Sequence, residues 1–168
     1  MRQGFLDAVV FSGGEPTLWG TKLADMSLAF ILTGMHVTIE TNGTKYVEIQ
    51  TKQKSKKDKK EIDLTGSVLF SISPKLASST PTGTPFEKDH EKERINEVVL
   101  EALLKRYPSY LKFVVASEKD LEEIKEIQKK LRLPSHRISL MPEGITRDEI
   151  AEKGAATNEL AIANGYRY

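Results

Sequence analysis

Five consecutive residues, Ser12-Gly13-Gly14-Glu15-Pro16, follow a short apolar run and combine a hydroxyl, two glycines, a carboxylate and a proline. Paired glycines let a backbone turn tightly, adopt positive φ and approach a ligand closely. A carboxylate beside open carbonyls can bind an ammonium group, and the proline fixes the exit into a helix. No Gly-Lys-Ser/Thr follows, so the turn is not a phosphate-binding loop. Three further polar strings close apolar segments in the same way: Glu40-Thr41-Asn42-Gly43, Ser73-Pro74-Lys75 and Met141-Pro142-Glu143-Gly144. Each offers groups that hydrogen-bond or ion-pair with a polar ligand. Each also has an ordinary reading, because turns are rich in Gly, Pro, Asn and Ser anyway. Lys75 is then a surface lysine, Glu40 a polar strand end, and Glu143 an acid favouring the start of the next helix.

The segments that carry these turns alternate between strand and helix. Residues 7–11 read as a short buried strand. Residues 17–33 read as a helix with Leu23, Met26 and Phe30 on one face, stopped by Gly34. His36–Thr41 alternates and is β-branched, as a strand should be, and Val68–Ile72 is the next strand. Residues 91–106 read as one amphipathic helix with an apolar stripe of Ile95, Val98, Val99, Ala102 and Leu103. Residues 110–115 form a strand. Ser117 with Asp120 resembles a cap for a helix whose face is Leu121, Ile124, Ile127 and Leu131, ended by Pro134. Residues 137–140 form another strand. Thr146 with Glu149 makes a capping box for a helix reaching about residue 164, and residues 165–168 begin a further strand. Such alternation predicts a parallel sheet with helices outside, whose ligands sit at the C-terminal ends of the strands. All four polar strings fall there.

Residues 45–65 break this economy, being too long and too charged for an ordinary connection. Lys52, Lys54, Lys56, Lys57, Lys59 and Lys60 make the stretch basic, and it reads as a flexible, solvated insertion. The functional alternative is an arm contacting phosphate or RNA, but no aromatics are interleaved with the lysines for base stacking. The whole chain of 168 residues has a net charge of +1, with 39% hydrophobic and 29% charged residues, which suits one globular domain spanning 1–168. That balance gives no argument for a nucleic acid or membrane partner. No run of 18 apolar residues and no secretory signal is present, so the expected location is the cytoplasm. There is no cysteine. Disulfides, cysteine nucleophiles, thiolate zinc sites and cysteine-ligated iron–sulfur clusters therefore cannot be built from this chain alone. His36, His90 and His136 lack metal-site spacing, and no Gly-x-Ser-x-Gly elbow occurs.

The string from Gly13 to Pro16 looks like the S-adenosylmethionine (SAM) motif of radical SAM enzymes. With Glu40-Thr41-Asn42-Gly43-Thr44, Ser73-Pro74-Lys75-Leu76, Leu111-Lys112-Phe113-Val114-Val115, Met141-Pro142-Glu143-Gly144 and Gly165-Tyr166-Arg167-Tyr168, it resembles the 7-carboxy-7-deazaguanine synthases in order and approximate spacing. That family uses SAM, a 4Fe–4S cluster and Mg²⁺ to contract the ring of 6-carboxy-5,6,7,8-tetrahydropterin on the route to queuosine and related bases. The resemblance implies that Ser12 touches the pterin substrate, where the family commonly has threonine. It implies that Gly14, Ser73, Pro74, Lys75, Met141, Pro142, Glu143 and Gly144 contact SAM, and that Glu40 lies near the cofactor ribose. The family's cluster cysteines and Mg²⁺ ligands lie upstream of the Gly-Gly-Glu-Pro turn, so their counterparts are absent from this sequence. The expected fold is α/β, a partial (β/α) barrel of the radical SAM type, truncated at both ends, with five strands and the start of a sixth. The expectation is a chain inactive alone, either a fragment of a split or truncated gene or one half of an enzyme completed by a second polypeptide that brings the cluster. A homodimer is a further expectation from the family. Two other functions stay open: a non-catalytic SAM- or pterin-binding remnant, and an RNA-associated module using the Lys-rich insertion.

Overall fold

The computed structural model describes residues 7–55 and 59–168. Its main sheet has five strands in the order β1 (Ala8–Phe11), β2 (His36–Thr41), β5 (Val68–Ile72), β6 (Ser109–Val115) and β7 (Ile138–Pro142). The short strands β3 (Lys52–Lys54) and β4 (Glu61–Asp63) form a separate antiparallel pair. Every pairing in the main sheet is parallel. All the strand C-termini therefore share one end of the sheet, and the helices α1 (Thr21–Leu32), α2 (Glu87–Glu93), α3 (Glu97–Arg106), α4 (Lys119–Leu131) and α5 (Arg147–Ala163) lie in the connections. This is the expected α/β partial barrel. The start of a sixth strand is also present: Arg167 bridges Ser139 in parallel, with Arg167 N donating to Ile138 O at 2.8 Å.

Strand side chains alternate between faces. One face of the sheet carries Val37, Ile39, Phe70, Ile72, Leu111, Phe113, Ile138 and Leu140, all fully buried in one core with Leu23, Ile31, Leu100, Leu103 and Ile124 from the helices. The register puts Glu40, Ser71 and Tyr110 in one row on the opposite face, with Lys112 and Ser139 in the next row. No helix of the described residues is long and apolar enough to cross a membrane.

Several local expectations need correction. β1 is an edge strand, not a buried one, and leaves Val10 58% exposed. On α1 the buried stripe is Leu23, Ser27 and Ile31, with i, i+4, i+8 spacing, and Met26 is exposed. The predicted helix over 91–106 is two helices. Asn96 interrupts it because its side chain accepts from Val99 N at 3.2 Å and so caps α3, a competition typical of Asn. The break re-phases the stripe to Leu100, Leu103 and Leu104, and exposes Val98. The cap before α4 runs in reverse: buried Asp120 reaches back, its Oδ2 accepting from Ala116 N at 2.8 Å and Ser117 N at 3.0 Å. The capping box of Thr146 and Glu149 forms as expected, and α4 buries Leu121, Ile124 and Ile127.

Within the basic stretch, Val47, Ile49 and Thr51 are buried, and Ile49 N donates to Tyr107 Oη at 2.8 Å. Lys52 pairs with Glu61 across the β3–β4 hairpin. Lys56 and Lys57 lie outside the described residues.

Candidate functional site

The turn after β1 is built around Gly13, whose φ of 114° only glycine adopts without strain. Glu15 then turns inward. Its Oε1 accepts from Thr17 N at 3.0 Å, Thr17 Oγ1 at 2.6 Å and Thr41 Oγ1 at 2.6 Å, and its Oε2 accepts from Asn42 N at 2.7 Å. The carboxylate expected to face an ammonium group is thus the latch between two turns. For an ammonium ligand this turn leaves its backbone carbonyls.

Ser12 and Glu40 are brought together, as neighbouring parallel strands require. Ser12 Oγ donates to Glu40 Oε2 at 2.7 Å, and Lys112 Nζ lies 3.6 Å from Glu40 Oε1. Glu40 is therefore more than a polar strand end. Gly14 and Ser12 both line a largely apolar cleft of about 700 Å³ with Phe11, Leu18, Trp19 and Met26.

The third and fourth strings meet each other. Pro74, Lys75, Leu76, Val114 and Glu143 line one cleft of about 140 Å³. The turn after β5 is braced from behind. Arg94 donates to Lys75 O at 3.2 Å and to Glu91 Oε2 at 3.0 Å, and bonds Glu123, which accepts from Ala77 N at 2.9 Å. Against the lowering effect of burial, Glu123 and Glu91 hold the Arg94 guanidinium above its ordinary pKa. Ser73 N donates to Thr41 O at 2.7 Å, so this turn is also stitched to β2. Lys75 itself is exposed. Glu143 precedes α5 by several residues and pairs with Lys153 at 3.3 Å, so it does not open that helix. Met141 is on the open face, whereas Pro142 is buried on the core side of β7. Gly144 packs against α5, where an added Cβ would lie 2.9 Å from Ile150 Cγ1.

These groups suit a small zwitterionic ligand such as SAM: an exposed ammonium at Lys75 for a carboxylate, a carboxylate at Glu40 for hydroxyls, and Val114 and Met141 for an apolar ring. They do not suit an iron–sulfur cluster, because the 168 residues hold no thiolate. Nor do the described residues hold a group of three His, Cys, Asp or Glu that could bind a metal ion. Sequence reasoning missed Arg94 and the orientation of Glu15. Lys112 was visible as part of the Leu111–Val115 string, without its link to Glu40.

No protein-family model matches the chain. Two curated relatives do. A 7-carboxy-7-deazaguanine synthase of Halobacterium salinarum is 35% identical over 175 residues, covering 96% of this chain and 62% of the relative. A 7-carboxy-7-deazaguanine synthase of Rhodopirellula baltica is 30% identical over 165 residues, covering 95% of this chain and 57% of the relative. The chain thus spans about 60% of the length of these relatives. Among solved structures, a domain of pyruvate-formate lyase-activating enzyme from Bacteroides vulgatus shares the fold, with a TM-score of 0.54, 18% identity and 95% coverage of both chains.

Proposed function

We propose, from a chain homologous along nearly its whole length to 7-carboxy-7-deazaguanine synthases, that it forms the SAM- and substrate-binding portion of such an enzyme. The reaction is the radical SAM ring contraction of 6-carboxy-5,6,7,8-tetrahydropterin, a lyase step in 7-deazapurine and queuosine biosynthesis. The observation that carries this reading is the arrangement of four polar turns at one end of a parallel sheet. Two of them share the cleft of Pro74, Lys75 and Glu143, and two share the Ser12–Glu40 contact.

In this reading Lys75 takes the methionyl carboxylate, Glu40 the ribose hydroxyls, and Gly14 with its neighbours the ammonium. Ser73, Pro74 and residues 141–144 shape the remaining wall, and Ser12 meets the pterin. SAM, when bound and reduced, supplies the radical chemistry. The cluster thiolates that reduction needs come from outside these 168 residues, either elsewhere in the same protein or on a second polypeptide. Mg²⁺ ligands come from outside as well. The protein works in the cytoplasm, and a homodimer is compatible with the reading.

Calorimetric titration with SAM, alone and with the carboxytetrahydropterin present, tests this. Saturable binding that weakens by about tenfold or more in Lys75→Ala is expected, the loss of one charge-assisted contact. A folded chain that binds neither compound would overturn the proposal.

A further inference from the structure

A serine hydroxyl has one proton and two lone pairs. In Ser12 the proton is committed, because a carboxylate only accepts and Ser12 Oγ lies 2.7 Å from Glu40 Oε2. Lys112 Nζ stands 3.6 Å from the other oxygen, Glu40 Oε1, and so ion-pairs with the carboxylate at the oxygen that Ser12 does not use. Toward the open face of the sheet Ser12 is left with lone pairs only.

The path of this bridge is set by the sheet. Glu40 is on β2 and Lys112 on β6, with β5 between them, so the two backbones are about 10 Å apart, two strand spacings. The β5 residue paired with Glu40 is Ser71. Its small side chain, 1% exposed and with Oγ lacking a hydrogen-bond partner, leaves the space above β5 in which the lysine and glutamate heads meet.

We propose that Lys112, acting through Glu40, sets the hydrogen-bonding polarity of Ser12, so that the ligand atom facing Ser12 is a donor, an N–H or O–H, and not a ring-nitrogen lone pair. Lys112 is a positioning residue. Glu40 holds the hydroxyl proton, and Lys112 keeps Glu40 in place to do so. This inference rests on the pterin reading of the site for its probes.

The test compares two probes by calorimetry on the full chain: 6-carboxy-5,6,7,8-tetrahydropterin, which carries ring N–H groups, and fully oxidised 6-carboxypterin, whose corresponding nitrogens are lone-pair acceptors. The readout is the ratio of the two affinities, which a general loss of fold or of binding does not move. Wild type favours the reduced probe. In Glu40→Gln the amide can donate to Ser12 and turn the serine proton outward. In Lys112→Gln the carboxylate loses its anchor. Both variants are expected to shrink the ratio by about tenfold, the factor carried by one hydrogen bond of ordinary strength. Lys112→Arg keeps the cation and is expected to keep the ratio. Ser71→Leu fills the path over β5 and is expected to mimic Lys112→Gln; if this buried substitution does not fold, the partly exposed Glu40→Gln and Lys112→Gln preserve the test. An unchanged ratio in the folded variants overturns the inference and leaves pterin binding standing. Failure of folded wild type to bind either probe overturns the pterin reading, and this inference with it.

Discussion

Glu15 Oε1 accepts a hydrogen bond from Thr41 Oγ1 at 2.6 Å, which ties the turn after β1 to the turn after β2. The second oxygen accepts from the Asn42 amide at 2.7 Å, so the two turns are held at both carboxylate oxygens. Glu15→Gln keeps the shape but sets an amide N–H₂ against a group that donates. The expected cost is about 1–3 kcal/mol, the range for leaving a donor unsatisfied. Thr41→Val removes both the donor to Glu15 and the acceptor of the Gly43 amide, and should cost about 1–3 kcal/mol. Urea unfolding of both variants checks this. A Glu15→Gln chain as stable as its parent would mean that the latch does not hold the turns.

The turn after β5 depends on Arg94, which joins Glu91 on the short helix α2, Glu123 on α4 and the Lys75 carbonyl. Arg94→Ala leaves two carboxylates facing each other without their cation. The expected destabilisation is about 2 kcal/mol, less than for a fully buried pair because the guanidinium keeps some access to water. Amide exchange at Ala77, whose N–H donates to Glu123 Oε2 at 2.9 Å, should quicken in this variant, and Arg94→Lys should recover part of both effects. Unchanged exchange at Ala77 would show that the brace does not reach the turn.

Much of this arrangement was legible because strand–helix alternation and turn chemistry are local properties. The five parallel strands and the capping box of Thr146 and Glu149 follow from patterns of a few residues. The same holds for the placing of Ser12, Glu40, Ser73 and Glu143 at strand ends. What escaped depends on partners distant in sequence. Glu15 read as a ligand for an ammonium group because its partners Thr41 and Asn42 are 26 and 27 residues away. Met26 was assigned to the core because a 3.6-residue period identifies an apolar face but not which flank of it meets the sheet. Val98 failed likewise, once Asn96 shifted the start of α3. Lys112 was legible as a member of the Leu111–Val115 string, but its pairing with Glu40 was not, since only the strand order brings it over β5.

Tyr107 gives the molecule a pH dependence at its alkaline limit. Its ring is buried against Phe70, centroids 4.8 Å apart, and its hydroxyl accepts from Ile49 N at 2.8 Å. Burial pushes its pKa up to about 12 from an ordinary value of 10.0. A folded-state pKa above the unfolded one means that the unfolded chain sheds the proton first. The stabilisation is therefore complete below about pH 10 and is lost as pH rises through about 12. Tyr107→Phe should flatten the stability profile over that window. At neutral pH it should also cost about 1–2 kcal/mol, because the Ile49 amide loses its acceptor. Thermal melts of both proteins across the window test the sign, and parallel profiles would remove the assignment to Tyr107.

Gly43 is where the turn after β2 meets the core most closely. Its φ is 76°, and an added Cβ would sit 2.6 Å from Leu100 Cδ2 and 2.7 Å from Ile72 Cγ2. Both neighbours are fully buried, so neither can swing aside into solvent. Gly43→Ala thus combines left-handed strain, about 1–2 kcal/mol, with overpacking of roughly 1–3 kcal/mol. The Gly43 amide also donates to Thr41 Oγ1 at 3.0 Å, the same hydroxyl that holds Glu15, so any displacement is felt at the latch. The expected outcome is a loss of about 2–5 kcal/mol in chemical unfolding, with the Glu15→Gln effect diminished in the Gly43→Ala background because the two sites share Thr41. Strictly additive effects would show that the core contact and the latch are independent.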